Sequence, residues 1–570
     1  MKKVRFFRAA ALLLALILVL CACTKKPPQT EAPTGSAPET AAPTQTPETQ
    51  APETEPAPGG EWVLPADETG KAADSDVRSR VFYEIFVGSF SDSNGDGIGD
   101  LRGIIDRMDY LNDGDPASGK SLGVEGIWLT PIFQSPSYHK YDVTDYYTID
   151  PDFGTMDDLK ELIRVCHERG VIVILDLVLN HTGNKNPWYQ SFRTAHMAGN
   201  TENEYYNFYC WCPKSEPKPA GRVFQPIAGS DDYYECNFST DMPELDYDRP
   251  EVRQAVLDVA KFYLDMGIDG FRFDAAKYIY LGDNKKSAEF WTWYMEELRK
   301  INPDVWTVAE VWDSDGVTNM YAPALDCFNF TVSQVSGQIV EAAKGASAAR
   351  LMSYTESFIN TVKGMRQTAQ FVPFIGNHDT DRSAGFLPVS QGRMQMGANL
   401  LILGPGAPFI YYGEEIGIKG SRGGSNTDAN RRLAMLWGDG DTVKDPQGAD
   451  YPEKNQVKAT VKDQLADQNS LFNYYKKLIA VRRANPEIAY GDYKAVTFQN
   501  SKVAGFTASA ATGTVCVLHN TTDDEQKVVL DEVGLASLKI ASVCGAGEAA
   551  LSDDGLGVLT IGPRTSVVLR

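Results

Sequence analysis

Three acidic residues stand where this chain could break bonds. Asp274 closes the run Gly270-Phe-Arg-Phe-Asp274, Glu310 closes Val308-Ala-Glu310, and Asp379 closes Phe374-Ile-Gly-Asn-His-Asp379. Asp274 and Glu310 end short, mostly apolar stretches of the kind that make buried strands, and Asp379 lies just beyond one. Cleaving a glycosidic bond with retention takes two carboxyl groups about 5 Å apart, one attacking the sugar carbon and the other protonating the departing oxygen. The ends of adjacent strands can hold two acids at such a spacing. Arg272 stands two residues before Asp274, on the same side of a strand, where it is expected to hold Asp274 ionised. Close negative neighbours are expected to raise the pKa of Glu310, so that it keeps its proton for the acid step. An isolated Asp or His is usually a cap or a satisfied core residue, so the weight rests on finding these residues in combination.

The elements that would position them repeat one phrase of helix, glycine, strand and acid. Thr155-Met-Asp-Asp158 resembles a capping box, Leu159, Leu162, Ile163 and Cys166 recur at helical spacing, and Gly170 ends the helix before the apolar run Val171 to Val178. The pattern returns with Asp248 and Pro250 opening a helix, Gly267 stopping it, and Ile268 to Phe273 forming the next strand. Further strand candidates are Val81 to Val87, Gly126 to Leu129, Trp306 to Val311, Leu325 to Phe330, Phe371 to Ile375 and Pro408 to Tyr412. Such alternation favours an α/β fold, a (β/α)8 TIM barrel, over an open doubly wound sheet, with chemistry gathered at the C-terminal strand ends. The barrel is expected over 75–181 and 242–488. Residues 182–241 are too long for a simple loop and read as an inserted small domain, while short alternating runs over 489–570 predict a C-terminal antiparallel β-sandwich.

At the N-terminus, Lys2, Lys3, Arg5 and Arg8 precede an apolar run from Ala9 to Leu20, which reads as an export signal over 1–22. Leu20-Cys21-Ala22-Cys23 resembles a bacterial lipobox, making Cys23 the expected lipidated residue. A lipid there would hold the protein on the outer face of the cell membrane without spanning it; the alternative is plain secretion. Residues 23–74 are rich in Pro, Thr and Glu and cannot make a core, so they read as a disordered tether that reaches roughly 150 Å if extended. The formal charge of -22 argues against nucleic-acid binding and leaves neutral sugars as suitable ligands. Nine Trp and twenty-six Tyr would suit a carbohydrate site or an ordinary core equally well. Of nine cysteines, seven lie beyond the signal, an odd number that leaves at least one thiol unpaired. Cys210, Cys212 and Cys236 cluster, and an exported protein could close a disulfide through Cys236, whereas Cys-x-Cys lacks the usual zinc spacing.

Asp176-Leu-Val-Leu-Asn-His181, Gly270-Phe-Arg-Phe-Asp-Ala-Ala-Lys-Tyr278, Val308-Ala-Glu-Val311 and Phe374-Ile-Gly-Asn-His-Asp379 resemble, in order and separation, the four signature regions of the α-amylase family. Gly126-Ile-Trp-Leu-Thr-Pro131 and Tyr138-His-Lys-Tyr-Asp-Val-Thr-Asp145 extend the likeness over about 78 to 485. The resemblance implies Asp274 as nucleophile, Glu310 as general acid/base and Asp379 as the third carboxylate, which binds sugar hydroxyls and stabilises the positive transition state. It further implies that His181 and His378 hydrogen-bond the sugar being cleaved, that Tyr141 stacks beneath it, and that Lys277 lies on the leaving-group side.

Asp92-x-Asn94-x-Asp96-Gly-x-Gly-Asp100 alternates oxygen donors around a glycine-rich turn, which suits a structural Ca²⁺ held by Asp92, Asn94, Asp96, Asp100 and the Ile98 carbonyl. Some α-amylase relatives carry a similar loop. The chain leaves the family pattern at Tyr278, where many members have His, and at Glu244 in Met242-Pro-Glu-Leu-Asp-Tyr247, where Asp is usual. Those positions and Asn180 help form a different metal site in calcium-dependent members, which puts that site in doubt. The Met-Pro start of that segment is closer to members acting on α-1,4 links than to oligo-1,6-glucosidases. The expected function is therefore cleavage of α-1,4-glucosidic bonds in starch, glycogen or maltooligosaccharides by double displacement. A 4-α-glucanotransferase, neopullulanase or α-glucosidase with the same groups, and a catalytically weak glycan-binding protein, are the alternatives. Oligomeric state leaves no mark in the sequence.

Overall fold

The computed structural model describes residues 80–422, 428–552 and 557–570. The export signal, Cys23 and the tether lie outside the described residues. Seven parallel strands follow one another around a curled sheet: β1 (Phe82–Ile85), β2 (Gly126–Leu129), β3 (Ile172–Leu177), β4 (Gly270–Phe273), β5 (Trp306–Ala309), β6 (Asp326–Cys327) and β7 (Phe409–Tyr411). Because β1 pairs with β7, the order returns to its start. The stretch 371–375, expected as a strand, contributes only isolated parallel bridges, Phe328 to Val372 and Phe374 to Phe409. Pro373 has no N–H to give to a ladder, although its carbonyl accepts from Phe409 N at 2.9 Å. These bridges complete the (β/α)8 ring.

The barrel is filled mainly by rings. Phe82 stacks on Trp306 and Phe409, each at 4.7 Å, with Trp128, Phe328, Phe374 and aliphatic residues around them. Gly126 is required here, since a Cβ on it would lie 2.4 Å from the Phe82 ring. A second and larger apolar layer lies between strands and outer helices. Helix α1 (Met156–Glu168) begins at the Thr155–Asp158 capping box read from the sequence, and α2 (Pro250–Met266) has Pro250 in its first turn and Gly267 at φ +106° after its end.

Between β3 and β4 the chain leaves the barrel to form helix Pro187–Ala198 and a three-stranded antiparallel sheet of Trp211–Cys212, Phe224–Pro226 and Tyr233–Glu235. The disulfide considered through Cys236 does not form, and all seven described cysteines are free. Cys212 pairs with Tyr233 and Cys210 lies opposite Glu235, so strand parity puts both on one face of the ribbon and Cys236 on the other. The C-terminal part forms a five-stranded and a three-stranded antiparallel sheet. Val503, Leu518, Leu559, Ile561 and Val567 are among the residues of their shared apolar core.

Candidate active site

Period-two alternation along the strands stacks polar side chains above the aromatic filling. Glu84 follows Phe82, Asp176 follows Ile174, and Asp274 and Glu310 come one residue after the ends of β4 and β5. Arg272, 1% exposed, is the hub. Its Nη1 donates to both oxygens of Asp176 at 2.8 and 2.9 Å and to Asp274 Oδ1 at 2.8 Å, and its Nη2 donates to Glu310 Oε2. A single guanidinium thus spans the two acids proposed for bond cleavage and fixes their spacing. Ala275, directly after Asp274, adopts φ +47°, and Lys140, directly before Tyr141, adopts φ +65°. Left-handed backbone at non-glycine residues is held only where the surroundings enforce it, and both positions border the same cleft.

That cleft, about 400 Å³, is walled by Tyr141, His181, Asp274, Lys277, Glu310 and Asp379 of the residues singled out in the sequence. Arg272 and His378 lie one layer below. His378 is wholly buried, its Nδ1 2.6 Å from Glu84 Oε1 and its Nε2 2.7 Å from the Tyr141 hydroxyl and 3.1 Å from Asp379 Oδ2. The Tyr141 ring lies parallel to the His378 ring at 5.6 Å, and its hydroxyl donates to Asp176 at 2.8 Å. His181 presents a buried Nε2 without a hydrogen-bond partner to the cleft. Lys277 donates to the Trp312 carbonyl at 2.6 Å and pairs with Asp313 at 3.0 Å, on the side where Trp312 stacks flat on Phe330.

The electrostatics differ from the sequence-based expectation in cause. Burial is the main influence raising Glu310, to about 7; Arg272 opposes it, and the negative neighbours Asp274 and Asp379 add to the rise. Burial likewise raises Asp274, to about 6, because Arg272 divides its charge among three carboxylates and only partly offsets desolvation. Asp379 goes the other way. Burial would raise it, but the His378 imidazolium and the Arg432 guanidinium, 2.8 Å away, hold its carboxyl far below the usual range. His378 is raised to about 10 against the cost of burial by Asp379 and Glu84. His181 is lowered to about 4 by desolvation, which the charge of Asp142 only partly offsets, and stays neutral.

Sequence reasoning did not assign Glu84, Asp176 or Arg432, which complete this network, nor His139, Phe238, Trp312 and Asp428, which line the cleft. The signal for Glu84 was available as an acid inside the apolar run Phe82-Tyr-Glu-Ile85. Arg432 lies outside any regular pattern. Glu244, a departure from the family pattern, is buried and accepts from Asn237 N and Nδ2 at 3.0 and 2.7 Å; burial and the nearby Glu235 raise it to about 8. In the loop after β1, Asp92 accepts from the N–H groups of Asn94, Gly95 and Gly97 and from the Thr442 hydroxyl, while Asp100 caps the next helix. Asn94 and Asp96 each accept from the N–H two residues on, and Gly95 and Gly97 turn the loop at φ +87° and +97°. Among the described residues no three His, Cys, Asp or Glu side chains are grouped so that they alone could hold a metal. A cation at this loop would therefore need the Asn94 amide oxygen and the Ile98 carbonyl as well as the carboxylates.

A closed (β/α)8 barrel carrying paired carboxylates at neighbouring strand ends is the arrangement a retaining glycoside hydrolase needs. Residues 84–491 match the family model described as the alpha amylase catalytic domain, and the chain belongs to the alpha-amylase family. It is 35% identical over 448 residues to Alpha-amylase 3 of Dictyoglomus thermophilum, covering 78% of this chain and 85% of that one. It is 29% identical to an oligo-1,6-glucosidase of Bacillus cereus, over 79% of this chain and 91% of the other. The solved structure of an alpha-amylase from H. orenii superposes with a TM-score of 0.75 at 32% identity, covering 86% of this chain and 99% of that one.

Proposed function

We propose that this chain is a retaining α-amylase that hydrolyses α-1,4 bonds of starch, glycogen or maltooligosaccharides. The observation that carries the reading is the Arg272 guanidinium bridging Asp274 and Glu310 on the wall of a single cleft. Asp274 attacks the anomeric carbon while Glu310 gives its proton to the departing glycosidic oxygen, leaving a glucosyl–Asp274 ester. Glu310, now ionised, takes a proton from water, which attacks the same carbon and frees Asp274. Asp379, kept anionic by His378 and Arg432, stabilises positive charge on the sugar ring as it develops. Tyr141 supplies a flat face beneath the ring, the neutral His181 a hydrogen-bonding nitrogen, and Lys277 marks the leaving-group side. The α-1,4 preference is supported by the Met242-Pro-Glu segment at the cleft and by the two alpha-amylases above. The oligo-1,6-glucosidase likeness supports the rival linkage. Chromatography of products from starch, pullulan, isomaltose and maltotriose decides. Short maltooligosaccharides from starch and an untouched isomaltose are expected. Glucose from isomaltose would move the assignment to α-1,6 links, and longer oligosaccharides growing from maltotriose would make the enzyme a glucanotransferase.

The pH profile follows from the two raised carboxyls. Asp274 must be ionised, so kcat/KM falls as pH drops through about 6. Glu310 must be protonated, so it falls again as pH rises through about 7. A narrow bell centred between those values is expected in initial rates on a soluble maltooligosaccharide, and a flat profile from pH 5 to 9 would contradict the roles given to this pair.

We also propose a structural Ca²⁺ held by Asp92, Asn94, Asp96, Asp100 and the Ile98 carbonyl. The hard oxygen donors of this loop suit that ion. EDTA is expected to lower the melting temperature and excess Ca²⁺ to restore it; identical melting in both rules the ion out. At the N-terminus, lipidation of Cys23 would place the enzyme on the outer face of the cell membrane with its tether as spacer. Incorporation of labelled fatty acid into wild type but not Cys23→Ala is the expected result.

A further inference from the structure

The loop that carries Tyr141 is tied down by a buried charge. Strands Phe133–Gln134 and Asp145–Ile149 pair antiparallel, and residues 135–144 between them bring Tyr141 to the cleft. Lys140, one residue earlier, has φ +65°. Such left-handed backbone is costly for a residue with a Cβ, and Lys lacks the short polar side chain that lets Asn or Asp adopt it. The compensation lies at the far end of the side chain. Lys140 is 4% exposed, and its Nζ lies 3.0 Å from Asp150 Oδ1 and 2.9 Å from Asp152 Oδ2, with the Phe153 ring centre 5.2 Å away. Asp150 is itself buried and anchored: its Oδ2 accepts from Ser135 N at 2.8 Å, and its own N–H donates to the Ile132 carbonyl at 2.9 Å. One carboxylate therefore grips the loop at its start, Ser135, and again just before Tyr141. Asp152 is half-exposed, so its bond to Lys140 is screened by solvent and the weight falls on Asp150. Were φ of Lys140 to relax, the ammonium would leave this pocket and Asp150 would remain as a buried carboxylate without its cation. The ion pair and the strained backbone thus hold each other.

Tyr141 follows directly, its hydroxyl shared between Asp176 and His378 and its ring stacked on His378. Those bonds fix the tip of the side chain and leave the plane of the ring to the backbone that delivers it. We propose that Lys140 is a positioning residue for bond cleavage: its buried ion pair with Asp150 enforces the left-handed turn that sets the Tyr141 ring beneath the sugar. This rests on the reading of Tyr141 as the flat face under the ring being cleaved. Two double variants of the full chain separate charge from backbone. Both carry Asp150→Asn, so that no buried carboxylate is left unpaired. One adds Lys140→Met, which keeps the side-chain bulk and the cost of the turn, and the other Lys140→Gly, which adopts φ +65° freely. The Met variant is expected to lose about tenfold in kcat on starch and the Gly variant to stay within about threefold of wild type. In a Tyr141→Ala background the Met variant should cost nothing further, since its effect passes through that ring. Fluorine NMR of protein labelled with 3-fluorotyrosine gives a readout without substrate, the Tyr141 resonance being the one missing from Tyr141→Phe. It should move in the Met variant and hold its place in the Gly variant. If the Met variant does not fold, Asp150→Asn alone, which weakens the same pair, should move that resonance by less, and an unmoved resonance counts against the proposal. Wild-type kcat in the Met variant, an equal loss in the Gly variant, or a loss that persists in the Tyr141→Ala background overturns it. Should the α-glucan reading fail, the wild type would release no sugar from starch, whereas the fluorine spectra would still report on the turn.

Discussion

Asp274→Asn is expected to lower kcat on starch by at least about 10³-fold, because it removes the nucleophile from a double displacement and leaves no group able to form the covalent intermediate. Asn has nearly the volume of Asp and retains an oxygen for the Arg272 bond at 2.8 Å. The loss should therefore be one of chemistry and not of folding. Initial rates on starch, a melting curve and intact-protein mass spectrometry after quenching separate the two: little change in melting temperature, no glucosyl adduct, and a residual rate near background. Activity within tenfold of wild type would show that another carboxylate attacks, and Asp379 would then be the group to replace.

Glu310→Gln should cost at least about 10²-fold in turnover on starch while maltooligosaccharide binding survives, since the proton it gives matters chiefly in the transition state. Two further readouts set this role apart from mere positioning of Arg272. The alkaline limb near pH 7 should disappear, because the group whose deprotonation produces it is gone. Aryl maltosides with a good leaving group, which departs without protonation, should lose far less of their first step than starch does. Equal losses on both substrates would assign Glu310 to the Arg272 network alone.

These expectations rest on two residues that the sequence already marked, but the reasons for their pKa values were not legible there. In sequence, Arg272 next to Asp274 reads as a private ion pair that would keep the acid ionised. In the folded chain the same guanidinium also serves Asp176 and Glu310, and desolvation outweighs its help. Period-two alternation reveals which side of a strand a residue takes. It does not reveal how many strands point toward the same atom. For that reason Asp176, on β3, was visible as part of a motif and yet had no role until the barrel closed. His378 shows the same limit: the family resemblance implied a hydrogen bond to the sugar, and only the fold shows that it sits under Tyr141 with both ring nitrogens engaged.

The strand at 371–375 illustrates the reverse case, in which a local signal was present and should have tempered a pattern. The apolar run is real, but Pro373 cannot donate, and the segment joins the barrel through isolated bridges only. For the cysteines the sequence established an odd number, while pairing depended on the face each one takes on its ribbon.

By itself the sequence determined the alternating βα phrase, the capping box at Thr155, and the three acids with their order along the chain. These are local matters of periodicity, capping and turn chemistry, each settled within a few residues. Only the tertiary structure decided that Glu84 and Arg432, nearly 350 positions apart, belong to one charge network with Asp379, and that burial governs the protonation of the catalytic pair. Desolvation and shared charge depend on which distant segments close over a site, and closing a barrel is what brings those segments together.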